Sequence, residues 1–151
     1  MSKKAQTPKR IVNRRARFDY ELGDSLVVGL QLSGAETKAL RMGHGQLRGA
    51  YVTVKDNEIW LINAQINSAR GVIISETDET RSRKLLAKRR EIDALIEAKK
   101  DGRTIVPLEL LTQGRYIKLR IAVGRGRKQY DKRQAIKKRD TERELRRQKA
   151  L

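Results

Sequence analysis

Alternation of apolar and polar positions dominates the middle of the chain. Phe18, Tyr20 and Leu22, then Leu26, Val28, Leu30 and Leu32, keep one parity around a turn expected at Gly23-Asp24. Spacing of period two predicts strands with one buried face. Val52 and Val54 lead into Lys55-Asp56-Asn57-Glu58, and Ile59-Trp60-Leu61-Ile62 follows, which reads as a hairpin. Trp60, among aliphatic neighbours, is assigned to the core rather than to a stacking platform. Val72 to Ile74 is a short strand. Val106, Leu108 and Leu110 share a face, and Pro107 marks an edge or a bulge. Ile117, Leu119, Ile121 and Val123 alternate with Lys118 and Arg120. Short strands joined by turns of mixed length predict a small antiparallel barrel.

Two segments with helical spacing interrupt the strands. Ser33 is a good N-cap with Glu36 three residues on, the pattern of a capping box, and Gly43 is a natural stop, so a helix is expected near 33–42. Leu85, Ile92 and Ile96 form one apolar stripe, which predicts helix over about 78–100, as one piece or two, ending at Gly102. No run approaches the apolar length of a membrane span. Met1 to Arg10 has positive charge but no apolar stretch behind it, so neither a membrane anchor nor a signal peptide is expected.

Charge changes the picture most. The chain has 151 residues, a net charge of +18 and a pI near 10.7, with no cysteine and one histidine. Such self-repulsion calls for a polyanionic partner, and nucleic acid fits better than an anionic membrane because no basic segment carries a bulky apolar face. The absence of cysteine fits a reducing, cytoplasmic setting. Residues 1–17 hold seven Lys/Arg and no acid, and residues 125–151 hold twelve Lys/Arg against four Asp/Glu. The ends therefore carry fifteen of the eighteen net charges around a nearly balanced middle. That is a folded module, 13–133, between a disordered basic arm over 1–12 and a basic tail over 134–151. After Gly126 the tail has neither glycine nor proline, yet Arg139, Arg143 and Arg147 repeat at i, i+4 and repel one another. Without an apolar stripe to dock it, the tail is expected to be disordered when free and helical along RNA phosphates.

Catalytic signatures are missing. Gly124-Arg125-Gly126 lacks the third glycine of a dinucleotide loop and precedes a basic tail rather than a crossover helix. His44 sits in a loop, so no enzyme activity, metal, cofactor or small-molecule substrate is expected. The candidate chemistry is recognition of RNA. Asn13, Arg14, Arg15 and Arg17 suit a phosphate-positioning arm. Glu36 either caps its helix or accepts from a base amino group, and Lys38 and Arg41 follow on the same helix. Arg81, Arg83 and Lys84, read as a helix start, oppose the helix dipole and so call for an outside anion. Tyr130 can stack on a base. On composition alone, a ribosomal or other structural RNA-binding protein is the alternative reading.

Seven pieces, in order along the chain, resemble one family. They are NRRARFDY (13–20), LSGAETKALRMG (32–43), YV (51–52), NAQI (63–66), TRSRKLL (80–86), VPL (106–108) and IAVGRGRKQYDKR (121–133). The chain is similar to the SsrA-binding protein family, also called small protein B. It departs from the family pattern at Phe18, where His is common, and at Arg127, where Lys is common. The resemblance implies a mainly β fold, an OB-fold-like barrel with flanking helices and a disordered basic C-terminal tail. It implies binding to the tRNA-like domain of transfer-messenger RNA through the barrel residues named above. It further implies delivery to stalled ribosomes in trans-translation, with elongation factor Tu engaged through the RNA. The tail would lie at the small-subunit decoding region and in the empty mRNA channel, and its contacts would come from Arg127, Lys128, Tyr130, Asp131, Lys132, Arg133, Lys137, Lys138, Arg139 and Arg143.

Overall fold

A computed structural model describes residues 10–127 and 129–149. The expected arm over 1–12 falls outside it for residues 1–9, as does Lys128. The framework is six antiparallel strands closed on themselves: β2 (Tyr20–Leu30), β4 (Tyr51–Lys55), β5 (Glu58–Ile62), β7 (Arg83–Leu86), β8 (Thr104–Leu111) and β9 (Lys118–Gly126). Pairing runs β8-β4-β5-β7-β2-β9, and β9 returns to β8. Two-residue β1 (Ile11–Val12) adds to the free edge of β8 at Leu110 and Glu109. A small second sheet joins β3 (Gly45–Gln46) to β6 (Gln65–Ile66). The helices are α1 (Ala16–Asp19), α2 (Gly34–Arg41), α3 (Glu76–Glu79), α4 (Arg89–Lys100) and α5 (Gln129–Lys149).

Alternation places the core where the sequence indicates. Leu119 and Ile121 on β9, Ile59 and Leu61 on β5 and Val28 and Leu30 on β2 all point inward. Ile92 and Leu95 close the barrel from α4, and Leu40 does so from α2. Burial of such side chains contributes roughly 1.5–3 kcal/mol each. The hairpin between β4 and β5 turns on Asp56 and Asn57, both at positive φ (53° and 59°). Asn and Asp tolerate that region, and the resulting twist matches the flanking strands. The bulge expected at Pro107 is present as a register shift between Pro107 and Glu109. It lets both Ile105 and Leu110, five positions apart, reach the core.

Four expectations are corrected. Gly23-Asp24 is not a turn: β2 is continuous, and the irregularity is a bulge between Leu22 and Ser25 opposite β9. Val72 to Ile74 forms no strand; Val72 makes an isolated bridge to Ala69, and Ile73 is 92 % exposed. Trp60 is half-buried and faces away from Ile59 and Leu61, because alternation sends it to the outer side of β5. There it pairs across the sheet with Thr53 and Lys84, and its indole N–H donates to the Lys55 carbonyl (3.4 Å). The fourth correction concerns the basic segment. Where helix is expected from 78, the chain makes α3, then strand β7, and only then α4. The strand is dictated by what is buried: Arg83 and Leu85, both 0 % exposed, point inward while Lys84 and Leu86 point outward.

Gly124 has its own reason. A Cβ there would lie 2.9 Å from the Glu21 carbonyl oxygen, so only glycine lets β9 approach β2 this closely.

Candidate RNA interface

The buried centre of the candidate site is built on the first turn of α2. The Ser33 hydroxyl accepts from the Glu36 N–H (3.2 Å), and Glu36 Oε1 accepts from the Ser33 N–H (3.0 Å), completing the capping box. The carboxylate does more than cap. Its Oε1 also accepts from Arg81 Nε (3.2 Å) and Nη2, and its Oε2 accepts from Arg83 Nε (2.5 Å). Glu36 is 2 % exposed. Burial by itself pushes its carboxyl upward, but the hydrogen bonds from Arg81, the Ser33 amide and Arg83, with the Arg83 charge, outweigh it and hold the group at about 2. It is therefore a carboxylate at neutral pH.

Arg83 explains why a strand as basic as β7 enters a barrel. All five of its N–H groups are satisfied within the chain. Nε serves Glu36; Nη1 donates to the carbonyls of Ala64 (2.8 Å) and Arg81 (3.1 Å); Nη2 donates to those of Asp78 (2.8 Å) and Glu79 (3.2 Å). Burial pulls its guanidinium below the usual value, and Glu36 opposes that shift. A buried ion pair survives only when its remaining donors are met, and here they are. Arg83 thus ties α2, the segment between β5 and β6, and the last turn of α3 together. It has no donor left for a ligand. The sequence expectation that it touches an outside anion is corrected: the carbonyls of α3 and the Glu36 carboxylate already neutralise it. Glu36 is likewise turned inward, with both oxygens taken.

Arg81 stands at the boundary. It grips Glu36 on one side and the Ser82 carbonyl on another (3.3 Å), with its side chain 34 % exposed. Lys84, on the outer face of β7, is half-buried beside Trp60, and Lys38 is exposed on α2. Arg41 pins the loop before β9, donating to the Thr112 and Arg115 carbonyls (3.0 Å each). Asn13 fixes the N-terminal segment to β8 through its amide and its backbone N–H, to the Pro107 (2.9 Å) and Leu108 (2.7 Å) carbonyls. Arg14, Arg15 and Arg17 are exposed beyond that anchor, and Arg15 pairs loosely with Asp19 (3.8 Å). Asn13 is thus the fixed end of the arm and the arginines are its reach.

The tail leaves β9 after Gly126 and is helical over Gln129–Lys149. The side chains of Tyr130 and Asp131 lie outside the described residues, although their backbone is in α5. Its first turns meet α1 without an apolar stripe. Lys132 Nζ pairs with Asp19 (3.3 Å), and the Arg139 guanidinium lies over the Phe18 ring, 4.3 Å from its centroid. Arg133, Lys137, Lys138 and Arg143 are exposed. Three further basic side chains gather near the arm without having been singled out from the sequence. Arg10 and Arg120 share the buried Glu109 carboxylate (2.7 and 2.9 Å), and Arg48 lines a cavity with Arg14 and Arg15. Arg120 was legible as an outward position of β9; the pairing of Arg10 with Glu109 spans the chain and leaves no local signal.

Among the described residues no helix is long and apolar enough to cross a membrane. The SmpB protein family model matches residues 10–150. An SsrA-binding protein of Synechococcus sp. (strain JA-3-3Ab) is 44 % identical over 143 residues, covering 91 % of each chain. One of Oleidesulfovibrio alaskensis is 41 % identical over 151 residues, covering 98 % of this chain and 97 % of that one. A solved chain described under "tmRNA-SmpB: a journey to the center of the bacterial ribosome" superposes with a TM-score of 0.65 at 32 % identity, covering 84 % of this chain and 94 % of the other. With a family match over residues 10–150 and relatives more than 40 % identical along nearly all of its length, this chain belongs to the SmpB protein family, the SsrA-binding proteins.

Proposed function

We propose that the protein binds the tRNA-like domain of transfer-messenger RNA and acts with it at stalled ribosomes in trans-translation. Membership of the SmpB family over residues 10–150 carries this reading. The site geometry supports a division of labour within it. Glu36 and Arg83 are a buried scaffold that fixes α2 and β7. The outward cations, Arg14, Arg15, Arg17, Lys38, Arg81 and Lys84, meet RNA phosphates. The tail, with Lys132, Arg133, Lys137, Lys138, Arg139 and Arg143, lies at the decoding region and in the empty mRNA channel of the small subunit. Its helix forms fully along ribosomal RNA phosphates, which cancel the repulsion between its arginines. Elongation factor Tu is met through the RNA. The protein does no chemistry itself, takes no small-molecule substrate and works in the cytoplasm.

The test is to sequence the RNA that co-purifies with the full chain and to follow its distribution over ribosome fractions. One stable RNA, enriched with the protein on stalled ribosomes, is the expected result. Presence in one copy on every ribosome would instead make this a structural ribosomal protein.

A further inference from the structure

The tail helix starts against the barrel, and the contacts there gather on one short element. β9 ends at Gly126 opposite Tyr20, and the Arg127 N–H donates to the Asp19 carbonyl (2.8 Å), so α5 sets out beside α1. Within about three turns of its start, two cations on one stripe of α5, Lys132 and Arg139 at i and i+7, meet two consecutive residues of α1. Lys132 Nζ pairs with Asp19 Oδ1 (3.3 Å), and the Arg139 guanidinium covers the Phe18 ring. Asp19 gives its other oxygen to Arg15 (3.8 Å). Asp19 therefore holds the tail twice, by its carbonyl before the helix and by its carboxylate inside it.

Two contact points two turns apart do what one does not. A single pair leaves a helix free to pivot about it, whereas two points on one stripe fix the direction of the axis. Neither contact is strong. The ion pair joins side chains 35 % and 32 % exposed, and the cation–π contact is also at the surface. Together they raise the ratio of docked to undocked helix by about tenfold. That is enough to bias the direction in which a helix without an apolar stripe leaves the barrel, and too little to hold the barrel itself together.

We propose that Phe18 and Asp19 are positioning residues that aim the tail. They hold the first turns of α5 in the orientation in which its remaining turns, from Asp140 onward, enter a channel. The affinity of a segment for its site is divided by the fraction of molecules in the competent orientation, so docking on α1 lowers the protein concentration that entry requires. The docked helix belongs to the chain alone; its use at entry rests on the proposed function above.

The experiment uses the full chain, which has no cysteine, so that Thr141→Cys gives one site for a nitroxide. Thr141 is exposed on α5, two residues past Arg139. The label should broaden the amide NMR signals of residues 17–20. Phe18→Leu combined with Asp19→Asn removes the ring face and the charge while keeping volume. It should reduce that broadening about threefold or more and raise the protein concentration for half-maximal tagging on purified stalled ribosomes by roughly three- to tenfold. Affinity for the tRNA-like domain and the thermal midpoint should not move. Phe18→Trp combined with Asp19→Glu should restore both readouts. Unbroadened signals in the labelled parent, with tagging normal, would overturn the docked helix and leave the proposed function standing. Tagging unchanged in the Leu/Asn variant would show that docking does not aim the tail. A matching loss of affinity for the tRNA-like domain would make Phe18 and Asp19 RNA ligands instead. A parent that neither binds that RNA nor tags, with its signals still broadened, would remove the proposed function, and the aim with it, and leave only a docked helix.

Discussion

Glu36→Ala should destabilise the barrel before it does anything to RNA. The substitution removes the carboxylate that faces Arg83, which is 0 % exposed and cannot reach water without opening the barrel. Breaking a buried pair by deleting one partner costs about 3–5 kcal/mol, and the lost cap at Ser33 adds about 1 kcal/mol. For a chain of this size that lowers the thermal midpoint by roughly 10–20 °C. Glu36→Gln retains an oxygen for the Ser33 amide but not the charge, so it should fall between the two. Glu36→Gln combined with Arg83→Met removes the charge on both sides and should recover part of the loss. The same pair sets the acid limit of the fold. The folded Glu36 titrates at about 2 against an ordinary 4.5. Because its folded value is the lower one, its contribution is complete above 4.5 and is lost as pH falls toward 2, a span worth about 3 kcal/mol. Urea melts at pH 7, 4 and 3 on wild type and on Glu36→Gln measure both effects. If Glu36→Ala unfolds within about 1 kcal/mol of wild type at neutral pH, the pair is not holding the barrel. If it then also loses RNA affinity, Glu36 is a ligand to a base after all.

Four further outcomes follow from the division between barrel and tail. A chain ending at Arg133 should bind the tRNA-like domain within a few-fold of full length in a gel-shift titration; a loss of a hundredfold would move the RNA site into the tail. The logarithm of that affinity should fall with the logarithm of salt at a slope of roughly −3 to −5, and Arg81→Ala should make it shallower by about one unit, an unchanged slope meaning that Arg81 meets no phosphate. Arg143→Pro inserts a residue costing a helix about 3 kcal/mol and should leave barrel stability and transfer-messenger RNA binding intact, while peptide tagging on stalled ribosomes drops sharply; tagging at the normal rate would mean that the tail is only an electrostatic tether. Phe18→Ala should lower the helical circular dichroism of the free chain by loosening α5 from α1, and no change would show that the stacking on Arg139 contributes nothing to tail order.

Much of the barrel was legible because its strands obey one code. β9 and the β4–β5 hairpin alternate apolar with polar residues, the Asp56-Asn57 turn has residues suited to positive φ, and Pro107 announces the bulge. β7 was not legible because it breaks the code once on each face: Arg83 points inward with Leu85, and Leu86 points outward with Lys84, so its period of two is invisible to hydropathy. The charge at Arg83 becomes a core residue only through carbonyls at 64, 78 and 79 that no local pattern connects to it. Trp60 lies off the core for a simpler reason: its parity is opposite to that of Ile59 and Leu61, so alternation puts its ring on the outer face. In the site, the capping box was readable from four residues. The meeting of Asp19 with Lys132 was not, because it depends on the register between the first long strand and the last.

That register has a mechanical consequence. β9, the strand from which the tail departs, is bonded along both edges, to β2 from Tyr20–Gly126 to Gly29–Lys118 and to β8 from Thr104–Gly124 to Leu111–Lys118. A pull on the tail is therefore directed along β9 and loads two antiparallel ladders in shear, many hydrogen bonds at once, rather than peeling them apart singly. A tail joined to an edge strand would fray and absorb the motion. Here a displacement of the helix is passed to the whole barrel as a push on a rigid body.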